Sequence, residues 1–179
     1  MPEIAPLRRH RVVKISAKFL IYSLLFGAII LVMDVFQQWR RDSPALTKPD
    51  LEAIIQHLSA EDQQAFASGE PALVYFWATW CGVCRITSPA VASLDDSRIV
   101  IGVSMQSGKD RDVFQWLERH EYSFTNLNDP LGLFSQRNQV DVTPSYLIIN
   151  NHGDILWFAR GPAVAPMLEA RIQLASLRQ

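Results

Sequence analysis

The sequence predicts a single α/β domain carried behind an N-terminal membrane helix. Three observations predict it. Ala72–Trp77 (ALVYFW) and Arg98–Met105 (RIVIGVSM) are continuous apolar runs, as expected of strands covered on both faces. The stretches that follow these runs carry helical periodicity and helix-start signals. Phe19–Met33 (FLIYSLLFGAIILVM) is an uncharged run behind a basic leader. The chain has 179 residues, 49% of them hydrophobic and 20% charged. That composition excludes a disordered chain, a collagen-like chain and a multi-span membrane protein.

Taken in chain order, residues 1–16 form a basic leader, with Arg8, Arg9, Arg11 and Lys14 ahead of Lys18. The uncharged run alone would make a helix only about 22 Å long, short of a bilayer core of about 30 Å. Extending it to residues 17–36 closes the gap and places Lys18 and Asp34 near the two interfaces, where a lysine snorkels. Only Arg40 and Arg41 follow closely, so the positive-inside rule puts the N-terminus in the cytoplasm and the body across the membrane. A cleaved signal peptide is the alternative, but the chain continues DVFQQWRRD with no small-x-small cleavage site. Both readings export the body.

Residues 37–70 read as a polar linker and a short helical embellishment. Thr47-Lys48-Pro49-Asp50 resembles a capping box opening a helix to about His57, and Ser59-Ala60-Glu61-Asp62 repeats the signal for a helix ending near Gly69. The main domain is expected over 71–179. Behind the first strand a helix should cover Gly82–Leu94, and behind the second another should cover Asp110–His120, with Val113, Trp116 and Leu117 on one face. Phe124–Leu127 is a short strand. Asp129-Pro130 reads as a cap followed by a first-turn proline. Ser145–Asn150 and Ile155–Arg160 flank Asn151-His152-Gly153 as a hairpin, and Ala165–Leu177 closes the domain as a helix.

Charge and cysteine content narrow the function. The net charge is −1, but residues 1–41 hold seven Lys/Arg and two acids, so the body is acidic. Without a basic stripe it is a poor nucleic-acid binder. The two cysteines, Cys81 and Cys84, are too few for a disulfide scaffold or a four-thiolate zinc site. Cys81-Gly82-Val83-Cys84 follows a strand and opens a helix. There the unpaired N–H groups and the positive end of the helix dipole favour a thiolate at Cys81, the attacking species in disulfide exchange. Cys84, one turn in, is placed to resolve the mixed disulfide and should be the less exposed sulfur. Gly82 would allow the tight turn, Trp80 would form part of a docking surface or pack structurally, and Arg85 would add positive potential or sit solvated. A structural disulfide closing so short a loop stabilises little. A metal site needs further ligands, and His10, His57, His120 and His152 show no ligand spacing. Redox exchange is the favoured reading; a structural disulfide and a metal site stay open.

Phe76–Cys84 (FWATWCGVC), Pro89 five residues after the second cysteine, and Val142-Thr143-Pro144-Ser145 ahead of the hairpin resemble the thioredoxin superfamily, and specifically its membrane-anchored, exported branch. The resemblance implies a thioredoxin fold, a central mixed sheet flanked by helices. It also implies a cis peptide before Pro144, where an X-Pro bond is otherwise trans by default. In the family that loop faces the cysteines and pairs with the substrate backbone, a form of strand addition, so Thr143 and Pro144 join Trp80, Gly82 and Val83 as expected substrate-binding residues around catalytic Cys81 and Cys84. Gly69–Pro89, Val103–Lys109, Asn128-Asp129-Pro130 and Val142-Thr143-Pro144 together resemble the suppressor-of-copper-sensitivity type of anchored thiol-disulfide oxidoreductase. That likeness implies an inner-membrane protein with its domain in the periplasm, protein thiols and disulfides as substrates, a membrane thiol electron transporter as partner, a reductase direction, a link to copper stress, and no cofactor or metal. The alternatives are a protein disulfide oxidase and a Cu(I)-binding or assembly protein using the same cysteines.

Three departures stand against the family pattern, the first being a Gly82-Val83 spacer without the proline often seen there. Many thioredoxins carry a buried Asp six residues before the first cysteine; here Tyr75 occupies that place and cannot serve as a carboxylate base. The cytochrome c maturation branch typically has Glu after the cis-proline; here it is Ser145.

Overall fold

The computed structural model describes residues 46–177 together with Tyr22 and Pro44. The chain divides into two compact units, Met1–Asp42 and Ser43–Gln179, and the second is the one described below. The expected anchor at residues 17–36 lies outside the described residues, Tyr22 excepted; among the described residues no helix is long and apolar enough to cross a membrane.

The elements run α1 (Lys48–His57), α2 (Ala60–Ala67), β1 (Ala72–Trp77), α3 (Gly82–Ala92), β2 (Ile99–Met105), α4 (Asp110–Arg119), β3 (Thr125–Asp129), α5 (Leu133–Arg137), β4 (Ser145–Ile149), β5 (Ile155–Arg160) and α6 (Ala165–Ser176). The five strands form one mixed sheet in the order β3-β2-β1-β4-β5. β1 pairs in parallel with β2, and β2 with β3, each crossover being made by a helix. β4 and β5 are antiparallel additions on the other side of β1. The mixed sheet with helices on both faces is the thioredoxin-like fold that the sequence implies.

The strands behave as their apolar runs require. Every residue of β1, β2 and β4 is buried. Alternation sends Leu73, Tyr75 and Trp77 into one core, beneath α3, α4 and α6, with Val91, Trp116, Leu168 and Ile172. Ala72, Val74 and Phe76 enter the other core, with Ile54 and Leu58 near α1, Phe66 of α2 and Phe134 of α5. The N-terminal helical pair therefore closes one face of the sheet.

Helix starts follow the sequence signals closely. The Thr47 hydroxyl accepts from the Asp50 amide at 3.4 Å and donates to the Asp50 carboxylate at 2.7 Å. Ser59 makes the same pair of bonds with Asp62, at 3.1 and 2.7 Å. One expectation is corrected. Asp129-Pro130 does not open a helix: Asp129 ends β3, Gly132 donates to the Asp129 carbonyl at 3.1 Å to close a turn, and α5 begins at Leu133. Gly132 sits at φ 71°, a left-handed conformation that breaks the helix Pro130 would otherwise start. The Asp129 carboxylate still caps α5, from a distance, by accepting from the amides of Phe134 (3.1 Å) and Ser135 (2.9 Å) and from the Ser135 hydroxyl (2.8 Å).

Candidate active site

β1 aims the cysteine segment. Beyond Trp77 the chain turns, the Cys81 amide donates to the Ala78 carbonyl at 3.1 Å, and α3 begins at Gly82. The turn is stitched to the end of β2. The Thr79 amide donates to the Ser107 hydroxyl at 3.0 Å, and Ser107 in turn donates to the Met105 carbonyl at 3.0 Å. The Trp80 indole N–H donates to the Gln106 carbonyl at 3.1 Å. Trp80 is thus anchored at its polar edge while its ring stays exposed.

Cys81 is the N-cap of α3, and its sulfur accepts from the Cys84 amide at 3.0 Å. Cys81 and Cys84 are joined by a disulfide, with Cα atoms 5.2 Å apart. Cys84 is fully buried, whereas Cys81 keeps 6% of its surface, so of the two residues only the first has an edge to solvent. In the opened dithiol that edge coincides with the amide N–H groups and the positive dipole end of α3, which stabilise a thiolate. Val83 is 43% exposed and Gly82 is exposed beside it. The reason given for Gly82 is corrected. It is an ordinary first helical residue without a positive φ, and a Cβ built there meets nothing within 4 Å, so the turn does not depend on glycine. Arg85 is exposed. Pro89 lies inside α3, where it removes a helical N–H.

Register brings in the distant loop. β4 runs antiparallel to β1 with Ser145 opposite Phe76, so the residues just ahead of β4 reach the end of the sheet where β1 delivers the cysteines. The Thr143–Pro144 peptide is cis. Pro144 is buried and Thr143 half-buried. The loop is braced from three sides: the Ser145 hydroxyl donates to the Val142 carbonyl at 2.8 Å, the Gly161 amide to the Pro144 carbonyl at 2.9 Å, and Arg160 pairs with Asp141 at 3.0 Å. The expected residues thus gather at the end of the sheet where its parallel strands finish, the usual place for a site in an α/β sheet. Sequence reasoning missed Gln106, Ser107 and Ile86. The first two fix the turn through a backbone carbonyl and a small hydroxyl, which leave no pattern in a sequence. Ile86 is 79% exposed and follows the exposed Val83 by three residues on α3, so the two share one helix face; its position two residues after Cys84 was the available signal.

Beneath the disulfide, Tyr75 is fully buried, and its hydroxyl contacts Ser88 Oγ at 2.9 Å and Thr87 Oγ1 at 3.3 Å. Burial pushes its phenol above the ordinary value, against the pull of those two hydrogen bonds, so it holds its proton at neutral pH. Among the described residues no three His, Cys, Asp or Glu side chains gather as a metal site.

The AhpC/TSA family model matches residues 41–158, a span that includes the cysteine turn and the cis-proline loop. The chain belongs to this family. A thioredoxin-like protein of Haemophilus influenzae is 36% identical over 132 residues, covering 70% of this chain and 76% of that protein. The thiol:disulfide interchange protein DsbE of Pseudomonas aeruginosa is 27% identical over 113 residues, covering 63% of this chain and 61% of that protein. The solved structure of MTB dsbF, in mixed oxidized and reduced forms, superposes with a TM-score of 0.52 at 26% identity, over 59% of this chain and 81% of that one. The family member described here is a thiol-disulfide oxidoreductase of the DsbE and thioredoxin-like type.

Proposed function

We propose that the protein reduces disulfides of polypeptide substrates in the periplasm while anchored in the inner membrane, with Cys81 as nucleophile and Cys84 as resolving thiol. The observation that carries this reading is the asymmetry of the pair: Cys81 caps a helix and has an edge to solvent, while Cys84 is sealed behind it. The Cys81 thiolate attacks the substrate disulfide and forms a mixed disulfide. Cys84 then displaces the substrate sulfur from Cys81, the Cys81–Cys84 disulfide forms, and the substrate leaves as a thiol. Trp80, Val83, Thr143 and Pro144 shape the groove, the exposed Trp80 and Val83 offering apolar contact and the braced cis-proline loop offering backbone. Gly82 belongs to the same rim, as a position without a side chain.

The basic leader and the apolar run at 17–36 support the anchored, exported placement. An exported reductase needs a source of electrons, and a membrane thiol electron transporter is the partner this placement fits. The likeness to the suppressor-of-copper-sensitivity type, carried by Gly69–Pro89 and Val103–Lys109, adds a role in copper stress, where Cu ions oxidise and bind thiols. The test is thiol trapping in intact cells with a bulky alkylating reagent that crosses the outer membrane and not the inner one. Modification of Cys81 without added reductant is the expected result: the domain outside and held reduced. A protein modified only after a reductant is added rests as a disulfide, which is the oxidase direction.

A further inference from the structure

The space beside β3 is not used by the exchange steps. β3 is an edge of the sheet, paired with β2 alone among the described residues. The Gln106 amide donates to the Asp129 carbonyl at 2.9 Å, so Asp129 turns its backbone toward β2. Alternation along the strand turns Thr125 and Leu127 the same way, and it points the N–H and C=O groups of Asn126 and Asn128 off the edge. Sheet edges are ordinarily blunted by lysine, proline, a bulge or a covering element. β3 (TNLND) contains neither lysine nor proline, and its five register pairs with β2 run without a shift. Nor do the two asparagine amides screen the outward backbone, because they are tied back to β1, β2 and the start of α4. Asn126 bonds Trp77 and Ser104; Asn128 bonds Ser104, the Gly108 carbonyl and Asp110.

A cavity of about 480 Å³ lies along this edge. It is lined by His57 at the end of α1 and by Val113 and Leu117 of α4. α1 packs into the core on one face of the sheet through Ile54, and α4 into the core on the other face through Val113 and Leu117. A space bounded from both faces crosses the plane of the sheet beside β3, which is the course of an added strand. Asp110, Phe114 and Glu118 recur every four residues on α4 and line the same space as an acid, an aromatic ring and an acid. Phe114 is 60% exposed, and among the described residues neither carboxylate forms an ion pair. Four residues of helix rise about 6 Å, and alternate residues of a strand lie about 6.6 Å apart on one face. A strand laid along β3 therefore brings every second side chain against one member of this stripe.

We propose that the edge of β3 takes up an extended polypeptide segment as an additional strand, with basic, apolar and basic side chains at alternate positions. Asn126 and Asn128 supply the main-chain hydrogen bonds, and Asp110, Phe114 and Glu118 select the side chains by charge and apolar contact. β3 lies two strands from β1, about 10 Å across the sheet. The surface uses neither cysteine, so it goes beyond disulfide exchange and leaves the exposed edge of Cys81 free.

The test is fluorescence anisotropy of labelled Thr-Lys-Thr-Val-Thr-Lys-Thr, which has no cysteine, with the full chain. The peptide should bind, and more weakly as salt is added. Glu118→Lys should weaken binding about fivefold, the scale of losing one exposed charge pair and gaining a like-charge contact. That side chain is exposed, and circular dichroism checks that the variant keeps its fold. The same peptide with Glu in place of Lys should not bind. N-methylation of one alternate set of peptide amides should abolish binding and of the other set should leave it, since an added strand turns only one set to the edge. No binding by the wild type overturns the proposal. So does equal binding of the acidic peptide, equal binding by Glu118→Lys, or an equal effect of the two methylation patterns. A chain that sediments as a dimer and is split by the peptide gives the edge to a second copy, which also overturns it.

Discussion

At the scale of single residues, the tightest constraint outside the cysteines is Gly102. It lies mid-strand in β2, where a Cβ would come within 2.7 Å of Asn126 Oδ1 and the Phe124 ring and within 2.8 Å of Trp77 Nε1. These neighbours do not move freely, because the Trp77 indole donates to Asn126 Oδ1 at 2.9 Å and Asn126 donates to the Ser104 hydroxyl at 3.0 Å. The glycine is required by close approach and not by its backbone angles. Gly102→Ala should lower stability by about 1–3 kcal/mol, as overpacking does, and chemical denaturation measures it. A variant as stable as wild type would mean that the indole and its amide partner shift at no cost. Nothing in RIVIGVSM marks this glycine, since the residues that crowd it come from β1, β3 and the approach to β3. Cys81, by contrast, was legible at once, because strand, cysteine pair and helix start are adjacent in the chain.

At the scale of elements, the local ones were the legible ones. β1 was bounded correctly from its run of apolar residues, and α1 and α2 from Thr47 and Ser59 with their acidic partners. The misplaced helix at Asp129-Pro130 shows the limit: cap and proline were both present, but the left-handed Gly132 decides where α5 starts. The two N-terminal helices also carry more weight than their polar sequences suggested. Ile54, Leu58 and Phe66 are each at most 4% exposed, in the core shared with Val74 and Phe76. Ile54→Ala should therefore cost about 2–5 kcal/mol, the range for emptying a packed aliphatic site, and lower the melting temperature of the whole domain. A loss below about 0.5 kcal/mol, the level of an ordinary surface substitution, would show that the pair is only an appendage.

At the scale of the whole molecule, one ion pair ties the first helix of this unit to the loop side of the sheet. Asp50 of α1 accepts from Arg137 of α5 at 2.6 Å. Burial by itself would raise the Asp50 carboxyl; the hydrogen bonds from Arg137 and Thr47 outweigh it and hold the group below the usual carboxylate range. A carboxyl depressed in the folded state contributes stability that is present above its unfolded value, near pH 4, and lost as pH falls through the lower folded value. Asp50→Asn should therefore destabilise the protein at neutral pH, and the difference from wild type should shrink as the pH is lowered below about 4. Melting temperatures across that range check it, and a gap of constant size would contradict it. The long-range arrangement that makes the site, with Ser145 opposite Phe76, depends on which strands pair, and no local pattern states that; the family resemblance supplied it.

The proposed chemistry requires Cys81 to perform disulfide exchange on polypeptides. The most direct measurement is the rate of insulin disulfide reduction by the wild-type chain and by Cys81→Ser, with dithiothreitol as electron donor and circular dichroism confirming the fold of both. The wild type should turn over, and the rate for Cys81→Ser should be no higher than the uncatalysed background. Insulin reduction by Cys81→Ser at the wild-type rate would contradict it.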